Sequence, residues 1–326
     1  MKGLLHNPAA AAVLSLIAAV AFYVIIGRAN IMAFGAAASW LNFAANLGIV
    51  ALPVGLLMIA GEIDISFGAM IPAGAITTAL LSGHYGLPIE VGIISALGLG
   101  VVVGLINGIL TTRTRVPSLL ITLGTLTIMQ GVVLWVAMRL AGNASIPLKA
   151  PQWAKMIFGQ LLWNSHQVII VWWVVLAVIF AFVLHKTKLG NWIYALGGDK
   201  VSARNAGVPT ERVTITLFVL SAVAASFVGM CGAILFNTTQ VSGGMSYIFN
   251  VIASVVVGGV LLTGGFGSVA GIFIGTLTFA IVNKGISFTN INPNWANFII
   301  GVTLVIAMLM NEYFRKLALT YSAKKK

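Results

Sequence analysis

Long apolar runs recur along the chain and alternate with short polar segments. Most of these runs have about 18 or more residues, enough to cross the roughly 30 Å bilayer core as a helix. We therefore predict an all-α, polytopic membrane protein with about ten transmembrane helices, some of them broken or re-entrant. The predicted spans are approximately Pro8–Gly27, Leu41–Gly61, Phe67–Leu81, Pro88–Thr111, Ser118–Leu140, Gln167–His185, Val213–Phe236, Phe249–Thr263, Val269–Asn283 and Trp295–Asn311.

The composition agrees with this pattern. The 326 residues are 60% apolar and 7% charged, whereas a soluble domain has about 25% charged residues. The first apolar run, Pro8–Gly27, is longer than the apolar core of a secretory signal peptide, so we favour an uncleaved first helix over a signal peptide.

The net charge of +12 comes from basic residues in short loops and near the C-terminus. This distribution is typical of topology signals, so we predict no nucleic-acid partner. With ten spans, 13 Lys and Arg residues lie on the side of the N-terminus and 5 on the other side. The positive-inside rule then places both termini in the cytoplasm.

Two of the six acidic residues, Glu62 and Asp64, stand between two apolar runs. Charge at membrane depth is costly and marks a candidate functional site. On a helix the two carboxylates would point about 200° apart, so they do not form an acid–base pair. Either they line a solute pathway or gate, or Asp64 or Ser66 caps the next helix while Glu62 pairs with a basic loop residue such as Arg113 or Arg115.

Away from the ends of the spans, the other polar residues inside them are uncharged. A neutral lining suits a neutral, hydroxyl-rich solute, although hydrogen bonds between helices explain such residues equally well. The candidates for the pathway or gate are Glu62, Asp64, Ser66, Asn107, Thr122, Gln130 and Asn250.

Common catalytic and cofactor motifs are absent from the sequence. There is no P-loop, no His-Glu-x-x-His and no Gly-x-Ser-x-Gly, and the four histidines lack metal-ligand spacing. We therefore predict neither an enzyme nor a metal site. Any ATP-driven step would need a partner protein.

Two segments outside the predicted spans are long enough to have a role of their own. Residues 141–166 carry two tryptophans, which either anchor the segment at the membrane interface or belong to a docking surface. Residues 186–212 form the largest predicted cytoplasmic loop. In it, Asp199 is expected to cap a short helix that ends near Gly207 and Pro209. Either this helix is a solvent-exposed part of the loop without a partner, or it contacts another protein.

A possible internal repeat relates residues 54–74 to residues 258–275. Both stretches are apolar, contain a glycine-rich interruption and then continue with small residues. Gly61 and Gly68 align with Gly264 and Gly271. The match reflects either a true repeat, as in many transporters, or chance similarity between apolar sequences.

Four stretches, in order along the chain, resemble the permease subunits of bacterial ABC importers for monosaccharides, the ribose, xylose and autoinducer-2 type. These stretches are Gly61–Gly68, Val116–Thr125, Gly197–Gly207 and Gly258–Ser268. The resemblance covers nearly the whole chain.

The resemblance implies a single transmembrane permease domain over residues 1–326, in the bacterial cytoplasmic (inner) membrane and in contact with lipid. It implies a second permease copy or a sister permease, cytoplasmic ATPase subunits that hold ATP and magnesium, and a periplasmic or lipid-anchored sugar-binding protein. Such a permease carries no cofactor of its own and imports sugar by alternating access.

Within that family, residues 186–212 correspond to the cytoplasmic coupling loop. The resemblance assigns contact with the ATPase to Asp199, Ser202, Ala203, Arg204 and Gly207. The alternative is a secondary carrier or channel for a small polar solute, which would leave the loop at 186–212 without a role.

Overall fold

The computed structural model describes residues 8–26, 31–239 and 244–289, and residues 292, 295, 298–299, 301–302 and 305–306. Its first five helices are α1 (Pro8–Ile26), α2 (Phe34–Ile59), α3 (Phe67–Ala79, continued by a π turn Leu80–His84), α4 (Ile89–Arg113) and α5 (Ser118–Val136, continued by a π turn Ala137–Ala141). A short α6 (Gln152–Ala154) with a π turn (Lys155–Gly159) and the antiparallel strands β1 (Leu161–Leu162) and β2 (His166–Gln167) precede α7 (Ile169–Lys186). The remaining elements are α8 (Lys188–Gly198), α9 (Lys200–Asn205), α10 (Thr210–Phe236), α11 (Gly244–Val257) and α12 (Val269–Gly285), the last followed by a 3-10 turn (Ile286–Phe288).

Each of the first nine predicted spans overlaps one of these helices, and the tenth, Trp295–Asn311, falls largely outside the described residues. In the described part of the chain, six helices are long and apolar enough to cross a membrane alone, and two shorter apolar helices accompany them. The protein is thus an all-α, multi-pass membrane protein. The predicted count of about ten spans is not confirmed.

Helix α2 lies at the centre of the bundle, in contact with α7, α10, α11 and α12. Every residue from Leu47 to Ile59 is buried. By contrast, α4, α5 and α7 bury one face and expose apolar side chains such as Ile94, Ile128 and Val178 on the other. An apolar exposed face is the expected surface of a helix that borders lipid.

Glycines allow α4 and α10 to pack with their backbones in contact. A Cβ at Gly104 would lie 2.5 Å from Val219 Cα, and one at Gly108 would lie 2.7 Å from Ile215 Cα. Small residues at four-residue spacing permit this close approach between membrane helices. The glycine spacing along α4 thus has a packing role.

Two non-helical segments of the bundle each separate two consecutive helices. The first break, residues 60–66, separates α2 from α3 and includes Gly61 at φ +86°. The second break, residues 258–268, separates α11 from α12, whose first turn is capped by the Ser268 hydroxyl accepting a hydrogen bond from Gly271 N at 3.0 Å. Both breaks lie largely between helices that were predicted as separate spans, so the expectation that some spans are themselves broken or re-entrant stays a prediction.

Helix α10 runs from one end of the bundle to the other. Next to its start lies α9, and Glu211 in its first turn is 3.9 Å from Arg113 at the end of α4. After its last residue, Asn237 O accepts a hydrogen bond from Leu148 N at 2.9 Å, within the 141–166 segment. That segment and α9 therefore lie at opposite ends of α10.

Candidate functional site

The backbone of the first break is held by side chains of α5. Ile63 N donates to Ser118 Oγ at 3.1 Å, and Ile65 N donates to Thr122 Oγ1 at 3.3 Å. A non-helical segment cannot form i to i−4 hydrogen bonds, and buried N–H groups need partners. Ser118 and Thr122 are four residues apart on one face of α5, so a single helix face supplies both acceptors.

The Asp64 carboxylate accepts three hydrogen bonds inside the bundle. Its Oδ1 accepts from Ser66 N at 2.8 Å and from Ser66 Oγ at 2.6 Å, and its Oδ2 accepts from Ser221 Oγ of α10 at 2.7 Å. Asp64 is 1% exposed. This burial is tolerated because both carboxylate oxygens are satisfied by donors.

The hydrogen bonds continue from Ser66 into two further helices. Asn107 Nδ2 of α4 donates to Ser66 Oγ at 2.8 Å, and Thr125 Oγ1 of α5 donates to Asn107 Oδ1 at 2.6 Å. We call Thr125, Asn107, Ser66, Asp64 and Ser221 the buried polar chain. It joins α5, α4, the start of α3 and α10 at one level of the bundle.

Glu62 points away from Asp64, toward the end of the bundle where α9 lies. Its carboxylate is 2.7 Å from the Nζ of Lys200, the first residue of α9. The predicted pairing with a basic loop residue is confirmed, but the residue is Lys200 and not Arg113 or Arg115; Arg113 instead lies 3.9 Å from Glu211. The reason is that Lys200 is brought to the first break by α8 and α9, which chain order did not reveal.

The two carboxylates are separate, as predicted, but for a different reason. The prediction assumed a helix, whereas residues 62–65 are not helical. The alternative in which Asp64 or Ser66 caps α3 is wrong, because neither side chain accepts a hydrogen bond from an N–H of the first turn; Asp64 accepts the N–H of Ser66, which precedes the helix.

The prediction that Asp199 caps a short helix is confirmed. Asp199 Oδ1 accepts a hydrogen bond from Ser202 N at 2.6 Å, and α9 ends before Gly207, whose φ is +82°. Hydrogen bonds from the side chain and backbone of Ser202 hold the pKa of the Asp199 carboxyl below its usual range. Of the other predicted coupling residues, Ala203 is buried while Arg204 is exposed.

Glycines bring the two breaks and α8 into direct contact. Gly265 N of the second break donates to Ile59 O at 2.8 Å. A Cβ at Gly264 would lie 2.9 Å from Gly61 Cα, and a Cβ at Gly197 of α8 would overlap Ile59 O and Gly265 N. The segment that leads into α9 therefore packs against both breaks through backbone atoms.

The remaining predicted site residues lie elsewhere. Gln130 is half-buried on α5, eight residues or about 12 Å beyond Thr122, and Asn250 is half-buried on α11. Sequence reasoning missed Ser118, Ser221 and Lys200. The four-residue spacing of Ser118 and Thr122 indicates that both hydroxyls lie on one face of a helix. Nothing in the sequence pointed to Ser221 or Lys200.

Comparison with known proteins gives one family and several relatives. The family described as branched-chain amino acid transport system, permease component, matches residues 36–308. The fructose import permease protein of Rhizobium meliloti is 29% identical over 98% of this chain and 89% of its own length. The xylose/arabinose import permease protein of Sulfolobus acidocaldarius is 30% identical, over 84% of this chain and 77% of its own length.

A third relative, the ribose import permease protein of Escherichia coli, is 27% identical over 81% of both chains. These relatives are transport permeases, and none is described as an enzyme. No solved structure matches the chain.

Proposed function

The chain belongs to the family of branched-chain-type permease components, and we propose that it is the transmembrane permease subunit of an ABC importer for a sugar or sugar-like solute. The observation that carries the proposal is its similarity, over 98% of its length, to a fructose import permease. Further relatives are import permeases for ribose and for xylose and arabinose. We further propose that residues 1–326 form one transmembrane domain.

Energy for import would come from partner ATPase subunits that hold ATP and magnesium, since this chain has no P-loop. Helix α9, within the 186–212 loop, is the surface proposed to contact them. Its cap at Asp199 fixes where the helix begins, and Ser202, Arg204 and Val201, the last 68% exposed, remain available to a partner. An exposed valine about one helical turn from an exposed arginine favours contact of α9 with a protein surface over full exposure to water.

The movement of α9 would reach the membrane domain through the first break. Lys200 at the start of α9 pairs with Glu62, and Asp64, two residues further on, belongs to the buried polar chain. Gly197 at the end of α8 packs against both breaks. A shift of α9 would thus act on α3, α4, α5 and α10 together, which is the kind of discrete rearrangement that alternating access requires.

The remaining partners follow from the orientation. Both termini and α9 are proposed to be cytoplasmic, in agreement with the excess of Lys and Arg on that side. The 141–166 segment at the opposite end of α10 would then face a periplasmic or lipid-anchored sugar-binding protein. The exposed apolar faces of α4, α5 and α7 would contact membrane lipid and a second permease copy or a sister permease.

One observation favours a second candidate, a secondary carrier for a small polar solute. A carboxylate inside a bundle, such as Asp64, is a common element of proton-coupled carriers. The carrier would transport without an ATPase and would respond to a proton gradient.

Reconstitution in liposomes separates the two candidates. We expect uptake of labelled fructose, ribose, xylose or arabinose only when the ATPase, ATP and the binding protein are present. An ATPase inactivated at its nucleotide site is the control and should give no uptake. Uptake by the permease alone, driven by a proton gradient, would overturn the proposal in favour of the carrier.

The role of α9 is tested with Arg204→Glu and Ser202→Pro. Both should abolish uptake and sugar-stimulated ATP hydrolysis while the permease remains folded, because they alter the exposed face or the backbone of α9. Arg139→Glu is the matched control, since Arg139 is an exposed basic residue beyond the end of α5. Parental transport by the Arg204→Glu complex would contradict the assignment.

A further inference from the structure

Helix α7 exposes a continuous stripe of apolar side chains that leads to a lysine. Its exposed members recur at three- and four-residue spacing on one face of the helix: Val171, Val175, Val178 and Phe182. The next position on this face is Lys186, one turn beyond Phe182. From Val171 to Phe182 the stripe is about 16 Å long, close to half of the roughly 30 Å hydrocarbon core. A positive charge therefore stands where the acyl region of one leaflet would end.

Three basic side chains lie close together where α7 ends and α8 begins. His185, Lys186 and Lys188 are all exposed, and only Thr187 separates the two helices. In the part of the chain that the structure describes, neither lysine lies within ion-pair distance of a carboxylate. The charges of both lysines are thus available to an anion outside the protein.

The first turn of α8 packs directly on the last turn of α7. A Cβ at Gly190 would overlap Leu184 O, so the missing side chain allows this contact. Trp192 is half-buried against the bundle and lies one turn beyond Lys188 on the same face of α8. Indole side chains favour the headgroup region of a bilayer. Apolar, aromatic and cationic groups thus follow one another in the order of the acyl, interfacial and headgroup layers of a leaflet.

We propose that His185, Lys186, Lys188 and Trp192, which we call the lipid corner, bind a phospholipid with a negatively charged headgroup. The headgroup phosphate would lie between the two lysines and the acyl chains along the exposed stripe of α7. Each lysine near an anionic lipid strengthens binding about fivefold. Helix α7 contains no glycine, and close contacts between membrane helices favour small residues, so this face suits a lipid better than a second permease copy.

A lipid at the lipid corner would fix the angle between α7 and α8, because it binds one lysine from each helix. Lys186 is the last residue of α7 and Lys188 the first of α8. The far end of α8 is held by Gly197, where Ile59 O and Gly265 N occupy the place of a side chain. With both ends of α8 held, α9 keeps its position beside the first break. This consequence rests on the proposed function, since it makes the lipid a support for coupling to the ATPase.

Native mass spectrometry of the purified full-length permease measures lipid binding without transport. We expect phosphatidylglycerol to be retained and phosphatidylcholine to be lost at the same lipid concentration. Lys186→Gln combined with Lys188→Gln should weaken phosphatidylglycerol binding about tenfold or more. Arg115→Gln combined with Arg212→Gln is the matched control, because it also removes two exposed positive charges. The control should bind phosphatidylglycerol as the parental protein does.

Several results would overturn the site. Parental binding of phosphatidylglycerol by the lysine variant would show that the two lysines do not hold the headgroup. Equal retention of phosphatidylglycerol and phosphatidylcholine by the parental protein would show no preference for a charged headgroup. A loss in the arginine control as large as in the lysine variant would reduce the effect to net charge. Displacement of phosphatidylglycerol by excess inorganic phosphate would assign the lysines to a free anion instead.

Uptake by the reconstituted importer tests the role of the lipid in coupling. The quantity is the ratio of fructose, ribose, xylose or arabinose uptake in vesicles of equal parts phosphatidylcholine and phosphatidylglycerol to uptake in phosphatidylcholine alone. We expect a parental ratio well above one, a ratio near one for the lysine variant, and the parental ratio for the arginine control. A parental ratio in the lysine variant would contradict the coupling role. If the parental importer transports none of the four sugars in either vesicle, the proposed function fails, whereas lipid binding by the permease alone still decides the site.

Discussion

The two breaks lie in contact with each other but are stabilised in different ways. In the first break, backbone N–H groups donate to Ser118 and Thr122, and Asp64 accepts three further hydrogen bonds. In the second break, glycines at positive φ, including Gly264 and Gly265, allow the backbone to pack closely. One break depends on polar side chains and the other on the absence of side chains.

This difference indicates distinct roles for the two breaks. Hydrogen bonds to hydroxyl groups can be exchanged for others when helices shift, whereas a glycine contact is lost as soon as the backbones separate. We infer that the first break is where the bundle rearranges and that the second break supports it. The variants below test this contrast, from the largest expected effect on stability to the smallest.

Asp64→Ala should be the most destabilising change in either break. It leaves the Ser66 N–H, the Ser66 hydroxyl and the Ser221 hydroxyl without their acceptor, and should cost at least about 3 kcal/mol in the free energy of unfolding. Thermal unfolding of the purified permease in detergent measures the loss. Asp64→Asn keeps one carbonyl acceptor and should fall between Asp64→Ala and the parental protein.

The matched control is Glu62→Ala, which removes a carboxylate two residues away that is not part of the buried polar chain. Equal melting temperatures for Asp64→Ala and Glu62→Ala would show that the buried polar chain does not hold the first break.

Gly264→Ala tests the second break against a glycine of similar backbone conformation. Gly264 and Gly86 have φ of +83° and +68°, but an added Cβ meets backbone atoms only at Gly264. Both alanine variants carry the conformational cost of about 1–2 kcal/mol, and Gly264→Ala should lose a further 1 kcal/mol or so through overpacking. Equal thermal shifts for the two variants would contradict the role given to glycine packing.

Thr122→Val removes one acceptor of the first break. Ile65 N–H then loses its partner, at a cost of about 1 kcal/mol. Thr122→Ser keeps the hydroxyl and should retain parental stability. Thr127→Val on the exposed face of α5 is the control, because the Thr127 hydroxyl bonds only within its own helix. If Thr127→Val lowered the free energy of unfolding as much as Thr122→Val, the stabilising role of the Thr122 hydroxyl as acceptor for Ile65 N–H would be contradicted.

Much of the bundle follows from the apolar pattern, because membrane helices must satisfy their own backbone hydrogen bonds and are therefore long and uninterrupted. Helix α9 was also predictable, since Asp199 and Gly207 carry standard signals for the two ends of a helix. The break between α2 and α3 was also predictable, because the charged residues Glu62 and Asp64 stand between two apolar runs.

The contacts among distant residues were not predictable from the sequence. The pairing of Glu62 with Lys200 joins residues 138 positions apart, and Ser221 meets Asp64 only because α10 packs beside α3. The alignment of Gly61 with Gly264, noted as a possible repeat, corresponds to two glycines of nearly equal φ that pack against each other. Whether such an alignment reflects contact depends on how the helices assemble, which spacing along the chain does not encode.

The Glu62–Lys200 pair should contribute least to stability, because Lys200 is about half exposed and such pairs contribute less than about 1 kcal/mol. It nevertheless links α9 to the first break, so its effect should appear in coupling. The decisive measurement is the number of sugar molecules imported per ATP hydrolysed by reconstituted importers carrying Glu62→Lys, Lys200→Glu or both. We predict that each single variant lowers this ratio and that the double variant restores it. A parental ratio in both single variants would contradict the account.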